Sequence, residues 1–341
     1  MRARELGVIV GALPTGALNA ITDVAGVLVG HVTLHEGEAV RTGVTAVRPH
    51  GGNLFADRVP AGFAVGNGFG KFAGTSQIDE LGEVETPILL TNTLSVAAGI
   101  EGCVDWTLTQ PGNEGANSVN AVVGETNDGF LNDIRLRRVT AAHVREAIVG
   151  ARGGAVPEGC IGAGTGTQAF GWKGGIGTSS RTVAIADATF VVGVLVQTNY
   201  GGRLAITDLE PPPRRTRETP DGSVVIVVAT DAPLSDRNLR RLAARAFVGI
   251  ARTGSWMANG SGDYALAFST APSVRRDAAR RRTIAPVAEL PNDLVSPLFR
   301  AAAEATEEAV YNALLAAIAT TGLRGRRLEA LPPEAVLRGH R

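Results

Sequence analysis

The run Ser223-Val-Val-Ile-Val-Val-Ala229 constrains this chain more than any other stretch. Successive side chains of a β-strand point to opposite faces, so an unbroken apolar run presents apolar groups on both. Such a strand belongs in a sheet covered on its two faces. The chain has the material for that cover. Of its 341 residues 44% are hydrophobic, enough for a core that needs no disulfide or metal staple. Length alone suggests two domains of about 150 residues, although one large mixed domain is also allowed.

Periodicity supplies the other elements. The stretches 26–31 and 42–47 alternate with turns and read as strands in hairpins, and 86–91 and 119–123 as further strands. Val96, Ile100, Cys103, Val104 and Thr107 recur at helical spacing and predict an amphipathic helix over about 94–107. Thr140 suits the N-cap of a second helix, with Val144, Ala147 and Ile148 inward and a stop at Gly150. Strands are expected at 182–187, 190–198 and 263–269. A helix from Ser235 would bury Leu239, Leu242, Ala246, Phe247 and Ile250. Ser296 and Pro297 suit the start of a long Ala-rich helix to Gly322, with Phe299, Val310, Leu314 and Ile318 inward. Antiparallel strand pairs with helices for both faces make the fold class α+β, in layers.

Several functions are excluded by charge and motif. The 33 Lys+Arg balance 33 Asp+Glu, which removes the electrostatic case for nucleic acid or an anionic membrane. Lys71 and Lys173 are the only lysines; every other basic residue is arginine. No run of about 18 apolar residues occurs, and no apolar leader follows Met1-Arg-Ala-Arg-Glu5, so a soluble cytoplasmic chain is expected. Cys103 and Cys160 are too few for a disulfide framework or a zinc site and read as small buried residues. The five histidines show no paired ligand spacing, and His31, after a strand-like run, reads as a hydrogen-bonded structural residue.

Gly162-Ala-Gly164-Thr-Gly166 is not a dinucleotide fingerprint, and no acidic residue closes a βαβ unit behind it. Gly66-Asn-Gly-Phe-Gly70-Lys71 fails as a phosphate loop because Val65 and Phe72 stand where Gly and Ser/Thr are required. No G-x-S-x-G elbow is present. Neither a cofactor nor a metal is expected. The glycines of 160–181 permit close backbone approach to something.

The junction before the apolar run carries the sharper chemistry. Residues 210–222, Glu-Pro-Pro-Pro-Arg-Arg-Thr-Arg-Glu-Thr-Pro-Asp-Gly, form an exposed irregular segment that enters the strand directly at Ser223. One reading is an interdomain linker. The other is a self-cleaving precursor, because Gly222 has no side chain to obstruct attack by Ser223 Oγ on its carbonyl. The resulting ester would be hydrolysed to free a new N-terminus at Ser223. An α-amine has an ordinary pKa of about 7.7–8 and serves as the base for an N-terminal nucleophile.

The segment Leu13-Pro-Thr-Gly-Ala-Leu-Asn19-Ala-Ile-Thr-Asp23-Val-Ala-Gly26-Val-Leu-Val-Gly30-His31-Val-Thr33 closely resembles the start of the DmpA-type aminopeptidases, the L-aminopeptidase/D-Ala-esterase and β-peptidyl aminopeptidase family. So do Arg41-Thr-Gly-Val-Thr45, Thr91-Asn-Thr93, Val123-Gly-Glu125, Gly162-Ala-Gly-Thr-Gly166, Lys173-Gly-Gly-Ile-Gly-Thr-Ser-Ser-Arg181, Val196-Gln-Thr-Asn199, Val227-Val-Ala-Thr-Asp-Ala-Pro233 and Ser261-Gly-Asp263. The match runs in order from about residue 10 to 272.

This resemblance implies a single αββα four-layer domain over 1–341, Ntn-hydrolase-like with its own connectivity. The chain would be cut between Gly222 and Ser223 into fragments 1–222 and 223–341, held together in a homo-oligomer, with 210–222 as the processing segment. Ser223 matches the nucleophile, and Ser261 and Asp263 the serine and acidic residue that assist it. Asp263 is one methylene shorter than the Glu of some members. Asn199 matches the oxyanion-stabilising asparagine, and Glu125 the carboxylate that binds a substrate's free amino group. Asn127 stands where members can place a Tyr that helps the oxyanion. The implied activity is removal of small N-terminal residues from peptides, amides or esters. A second class stays open, motivated by Asn127 and Asp263: a catalytically silent binding or assembly protein on the same fold.

Overall fold

A short turn joins the first two strands into a hairpin, and the strands that follow divide between two main sheets. The computed structural model describes residues 1–211 and 222–337. β1 (Leu28–Glu36) and β2 (Val40–Arg48) pair antiparallel along their whole length. β3 (Val59–Gly68), β4 (Phe72–Ala73), α1 (Thr75–Leu81), β5 (Glu83–Val84) and β6 (Ile88–Asn92) follow. Then come α2 (Val96–Leu108), β7 (Val122–Thr126), α3 (Ala141–Val149) and the small hairpin β8 (Gln168–Ala169) with β9 (Trp172–Lys173). β10 (Ile176–Ile185), β11 (Ala188–Asn199), β12 (Ser223–Thr230), α4 (Asp236–Arg252), β13 (Gly262–Ser269) and α5 (Ser296–Leu315) complete the body, with a terminal hairpin of β14 (Thr320–Thr321) and β15 (Arg327–Leu328).

One sheet has the order β1-β2-β6-β7-β4 and the other β10-β11-β12-β13-β3-β5. Helices α2 and α3 cover the outer face of the first, and α4 and α5 that of the second. The inner faces meet through Val29, Val47, Ile88 and Leu90 on one side and Leu195, Val225, Val227 and Leu266 on the other. This is the expected αββα sandwich. The apolar run does what its pattern demands: Val225, Val227 and Ala229 fill the space between sheets, while Val224, Ile226 and Val228 join the core under α4 and α5. Each fully buried aliphatic side chain of this kind contributes about 1.5–3 kcal/mol.

The glycine-rich stretch leads into β10, which starts at Ile176. Its glycines serve chain packing: a Cβ at Gly177 would lie 1.9 Å from the Ala309 carbonyl of α5, and one at Gly164 2.4 Å from Ile176 N. Several expectations need correction. Helix α5 stops at Leu315 and leaves Ile318 68% exposed. There the chain turns to bring Ala316 O against Gly159 and Ile318 N–H to Cys160 Sγ, at 3.4 Å. Cys160 is accordingly half-buried, whereas Cys103 is buried as expected. Phe299 is only partly buried, beneath the guanidinium groups of Arg241 and Arg245. β7 lies about three residues later than its apolar residues suggest, which places Glu125 inside the strand.

His31 accepts or donates a hydrogen bond to Thr45 Oγ1 at 2.9 Å, and burial followed by the charge of Arg152 pushes its pKa down to about 4. Helix α5 also buries charges that no periodicity reveals. Arg181 Nη2 meets Glu308 Oε2 at 2.7 Å with both side chains inaccessible, an arrangement in which loss of either partner leaves an uncompensated buried charge.

Candidate active site

Three strand ends converge at the Gly222–Ser223 junction. β11 ends at Asn199, β12 begins at Ser223 and β13 begins at Gly262; the register pairs Ser223 with Asn199 on one side and with Gly262 on the other. Gly222 O accepts a hydrogen bond from Gly262 N–H at 3.1 Å. A Cβ at position 222 would lie 2.0 Å from Asn199 O and 2.3 Å from Tyr200 Cα. Glycine is thus required by packing at this position. The remaining segment, 212–221, lies outside the described residues.

Asn199 is buried, and its Oδ1 accepts the Gln168 N–H at 3.1 Å. That bond fixes the amide orientation and leaves Nδ2 as the donor. Gln197, two residues earlier on the same face, places Nε2 2.9 Å from Thr126 Oγ1 and 3.1 Å from Thr91 O. It therefore ties β11 to both β6 and β7 and holds the two sheets in register beside the junction.

Glu125 comes from the facing sheet. Its side chain is 3% exposed. Oε1 accepts the Lys71 backbone N–H at 3.0 Å, and Oε2 accepts the Thr93 hydroxyl. The Lys71 ammonium stands 3.6 Å from Oε1. Asn127 is exposed, and its Oδ1 closes a turn by accepting Gly129 N–H at 2.9 Å. Glu125, Asn127, Lys71, Thr93, Gly222 and Ser223 line one open cleft of about 700 Å³, within the usual range for small-molecule sites.

Ser261 and Asp263 approach the junction differently. Ser261 Oγ donates to Asp263 Oδ1 at 2.7 Å, so the shorter acid still reaches its serine. Both residues are buried, and Asp263 Oδ2 has no hydrogen-bond partner among the described residues. Burial raises the Asp263 pKa to about 6, against a smaller opposing effect of the Ser261 bond. Along β13, Ala265 and Ala267 face the helices while Leu266 and Phe268 face the other sheet. The same alternation puts Asp263 on the helical side of the sheet and Ser223, level with Gly262, on the inter-sheet side. No hydrogen bond among the described residues joins Ser223 to Ser261 or Asp263. The structure brings Ser223, Glu125 and Asn127 to one cleft, with Asn199 paired to Ser223 on the neighbouring strand, and sets Ser261 and Asp263 behind the same strand end.

Comparison with known proteins fits this arrangement. A model of peptidase family S58 matches residues 19–328. The chain belongs to peptidase family S58. It is 41% identical to beta-peptidyl aminopeptidase BapA of Sphingosinicella microcystinivorans, over 97% of this chain and 89% of that protein. Among solved structures, a Pyrococcus horikoshii OT3 protein superposes with a TM-score of 0.90 at 46% identity, covering 98% of this chain and 97% of that one. The l-aminopeptidase d-ala-esterase/amidase of Ochrobactrum anthropi, described as a prototype for the serine aminopeptidases and a variant of the Ntn hydrolase fold, gives 0.89 at 37% identity, covering 98% and 96%.

As a member of S58 the chain is a hydrolase with an Ntn-hydrolase-like α+β fold, and the catalytically silent alternative is set aside. Among the described residues no group of three or more His, Cys, Asp or Glu could hold a metal ion, and no helix is long and apolar enough to cross a membrane. Sequence reasoning missed four residues that the structure places around the candidate site: Lys71, Thr93, Gln168 and Gly262. Thr93 and Gly262 lay within quoted motifs without a role. Lys71 surfaced only as one of two lysines and in the failed phosphate loop. The backbone N–H of Gln168 left no signal at all.

Proposed function

We propose that this S58 peptidase is a self-processing aminopeptidase with Ser223 as its N-terminal nucleophile, removing small N-terminal residues from peptides, amides or esters. The observation that carries the reading is the placement of Ser223 at the start of the central strand, between the Asn199 amide and Gly262, in the cleft that also holds Glu125. The relatives' names favour substrates that begin with a β-amino acid or a small L- or D-residue.

In self-cleavage Ser223 Oγ attacks the Gly222 carbonyl carbon while Gly262 N–H polarises the carbonyl oxygen. The Gly222–Ser223 C–N bond breaks, the departing nitrogen takes up the hydroxyl proton, and water hydrolyses the ester. Products 1–222 and 223–341 stay together because β12 remains hydrogen-bonded between β11, from the first piece, and β13. The freed α-ammonium suits the unpartnered Asp263 Oδ2. In turnover the neutral amine takes the Oγ proton, supported by Ser261 and Asp263. Asn199 Nδ2 donates to the oxyanion, Glu125 holds the substrate ammonium, and water releases the acyl group. Asn127 is a second amide near the oxyanion in place of a phenol. A homo-oligomer working in the cytoplasm completes the proposal, with 210–222 as the processing segment.

The test combines a denaturing gel with a chromogenic assay. The purified protein should resolve into 1–222 and 223–341 and release p-nitroaniline from alanine p-nitroanilides but not from their N-acetyl forms. A chain that stays at 35.2 kDa and is inert on all of them sinks the reading.

The Asp263 pKa gives a further expectation. A carboxyl raised from an ordinary value of about 3.9 to about 6 holds a proton below pH 6 and cannot then draw on Ser261 or the amine. The kcat of the mature enzyme should therefore fall as pH drops through about 6, by up to roughly tenfold per pH unit below it. Asp263→Asn should be slow at every pH. A rate constant that is level from pH 4.5 to 8 removes Asp263 from the reaction.

A further inference from the structure

Lys71 stands out twice, first as one of two lysines in a chain otherwise furnished with arginine, and second by its place. The other lysine, Lys173, is fully buried with Nζ bonded to the carbonyls of Gly164, Thr167 and Gly174. Lys71 is the opposite case: its side chain is 55% exposed, yet its ammonium lies beside the buried carboxylate of Glu125. Its position is set by the sheet, because it immediately precedes β4, where Phe72 pairs with Gly124 next to Glu125.

We propose that Lys71 is a tethered ammonium that occupies the amine subsite in the resting enzyme and yields to the substrate's own ammonium, making it a specificity-determining residue. The inference rests on Glu125 as the amine-binding group. A buried carboxylate with no counter-charge is costly, so the empty site needs a cation. At 3.6 Å Lys71 supplies the charge from beyond the 2.7–2.9 Å of a charge-assisted hydrogen bond, about 2.8 Å being usual. Leaving therefore breaks no such bond. The carboxylate meanwhile stays aimed, because the Lys71 N–H and the Thr93 hydroxyl hold its two oxygens independently of the lysine side chain.

Residue choice supports this. A guanidinium would engage the carboxylate through a two-pronged fork and lock it, whereas an ammonium on a flexible stem is a strongly hydrated point charge that returns readily to water. Binding becomes an exchange of one cation for another at Glu125. A substrate with a free amine can make that exchange. An acylated one cannot, and leaves Lys71 in place across the cleft.

The test measures kcat and KM separately on an alanine p-nitroanilide, with mature, fully self-cleaved enzyme. Lys71→Met keeps the stem and removes the competitor, so KM should fall at least threefold with kcat within about twofold. Lys71→Arg should raise KM about tenfold or more. In a Glu125→Gln background, Lys71→Met should leave KM unchanged, because nothing remains to compete for. A Lys71→Met enzyme with unchanged or higher KM overturns the proposal while Glu125→Gln alone still raises KM. If Glu125→Gln alone leaves KM unchanged, the amine-subsite reading itself is wrong and the proposal falls with it.

Discussion

Ser223→Ala should yield one uncut chain of 35.2 kDa with no hydrolysis of any aminoacyl p-nitroanilide, the largest effect expected of any single change. The loss is twofold in origin. Alanine has no oxygen to attack Gly222, so the strand end is never freed, and no α-amine exists to act as base in turnover. The fold should survive, since the β12 register is held by Val224 through Thr230 and the substitution removes one oxygen from a buried position. Circular dichroism and melting temperature near those of the wild type would show this. Ser223→Cys should restore slow cleavage because a thiol can make the same acyl transfer. If the alanine variant still separates into two pieces at 222/223, the nucleophile is another group.

Asn199 is the site of the second large effect. Asn199→Ala should lower kcat by about 10²–10³-fold, roughly 2.7–4 kcal/mol, with little change in KM, as expected for a donor that acts on developing charge. The informative partner is Asn199→Asp. It retains an oxygen for the Gln168 N–H and removes only the amide donor, so its kcat should fall at least as far. Both variants should still self-cleave, because in the intact chain the Gly222 carbonyl is already bonded to Gly262 N–H. Near-wild-type kcat in Asn199→Asp would assign the oxyanion to other donors.

The two effects explain why the site was partly legible in advance. Ser223, Asn199, Glu125, Ser261 and Asp263 each lie in a short stretch whose residue types match a known pattern. The strands that carry them were visible as valine-rich runs, although β7 was displaced and β3 and α1 were not foreseen. The 2.7 Å bond between Ser261 and Asp263 joins two residues that the sequence pattern had already grouped. Their position on the face opposite the Ser223 side chain was not foreseen. It depends on the parallel register of β12 against β13, which is set by partners 39 residues apart, as in Ser223 opposite Gly262.

Sequence by itself determined the layered α+β class, the buried central strand, the glycine–serine junction and the identity of the residues around it. The first three follow from local alternation, helical spacing and side-chain chemistry, which are properties of neighbours along the chain, and the residues around the junction follow from the resemblance of short motifs to a known family. Only the tertiary structure decided that Gly222 is pinned between Asn199 and Gly262, that Gln168 orients the Asn199 amide, and that Lys71 stands guard over Glu125. Each of those contacts joins segments far apart in sequence, through backbone atoms or a single flexible charge, and neither leaves a periodic trace that a chain read in one dimension can reveal.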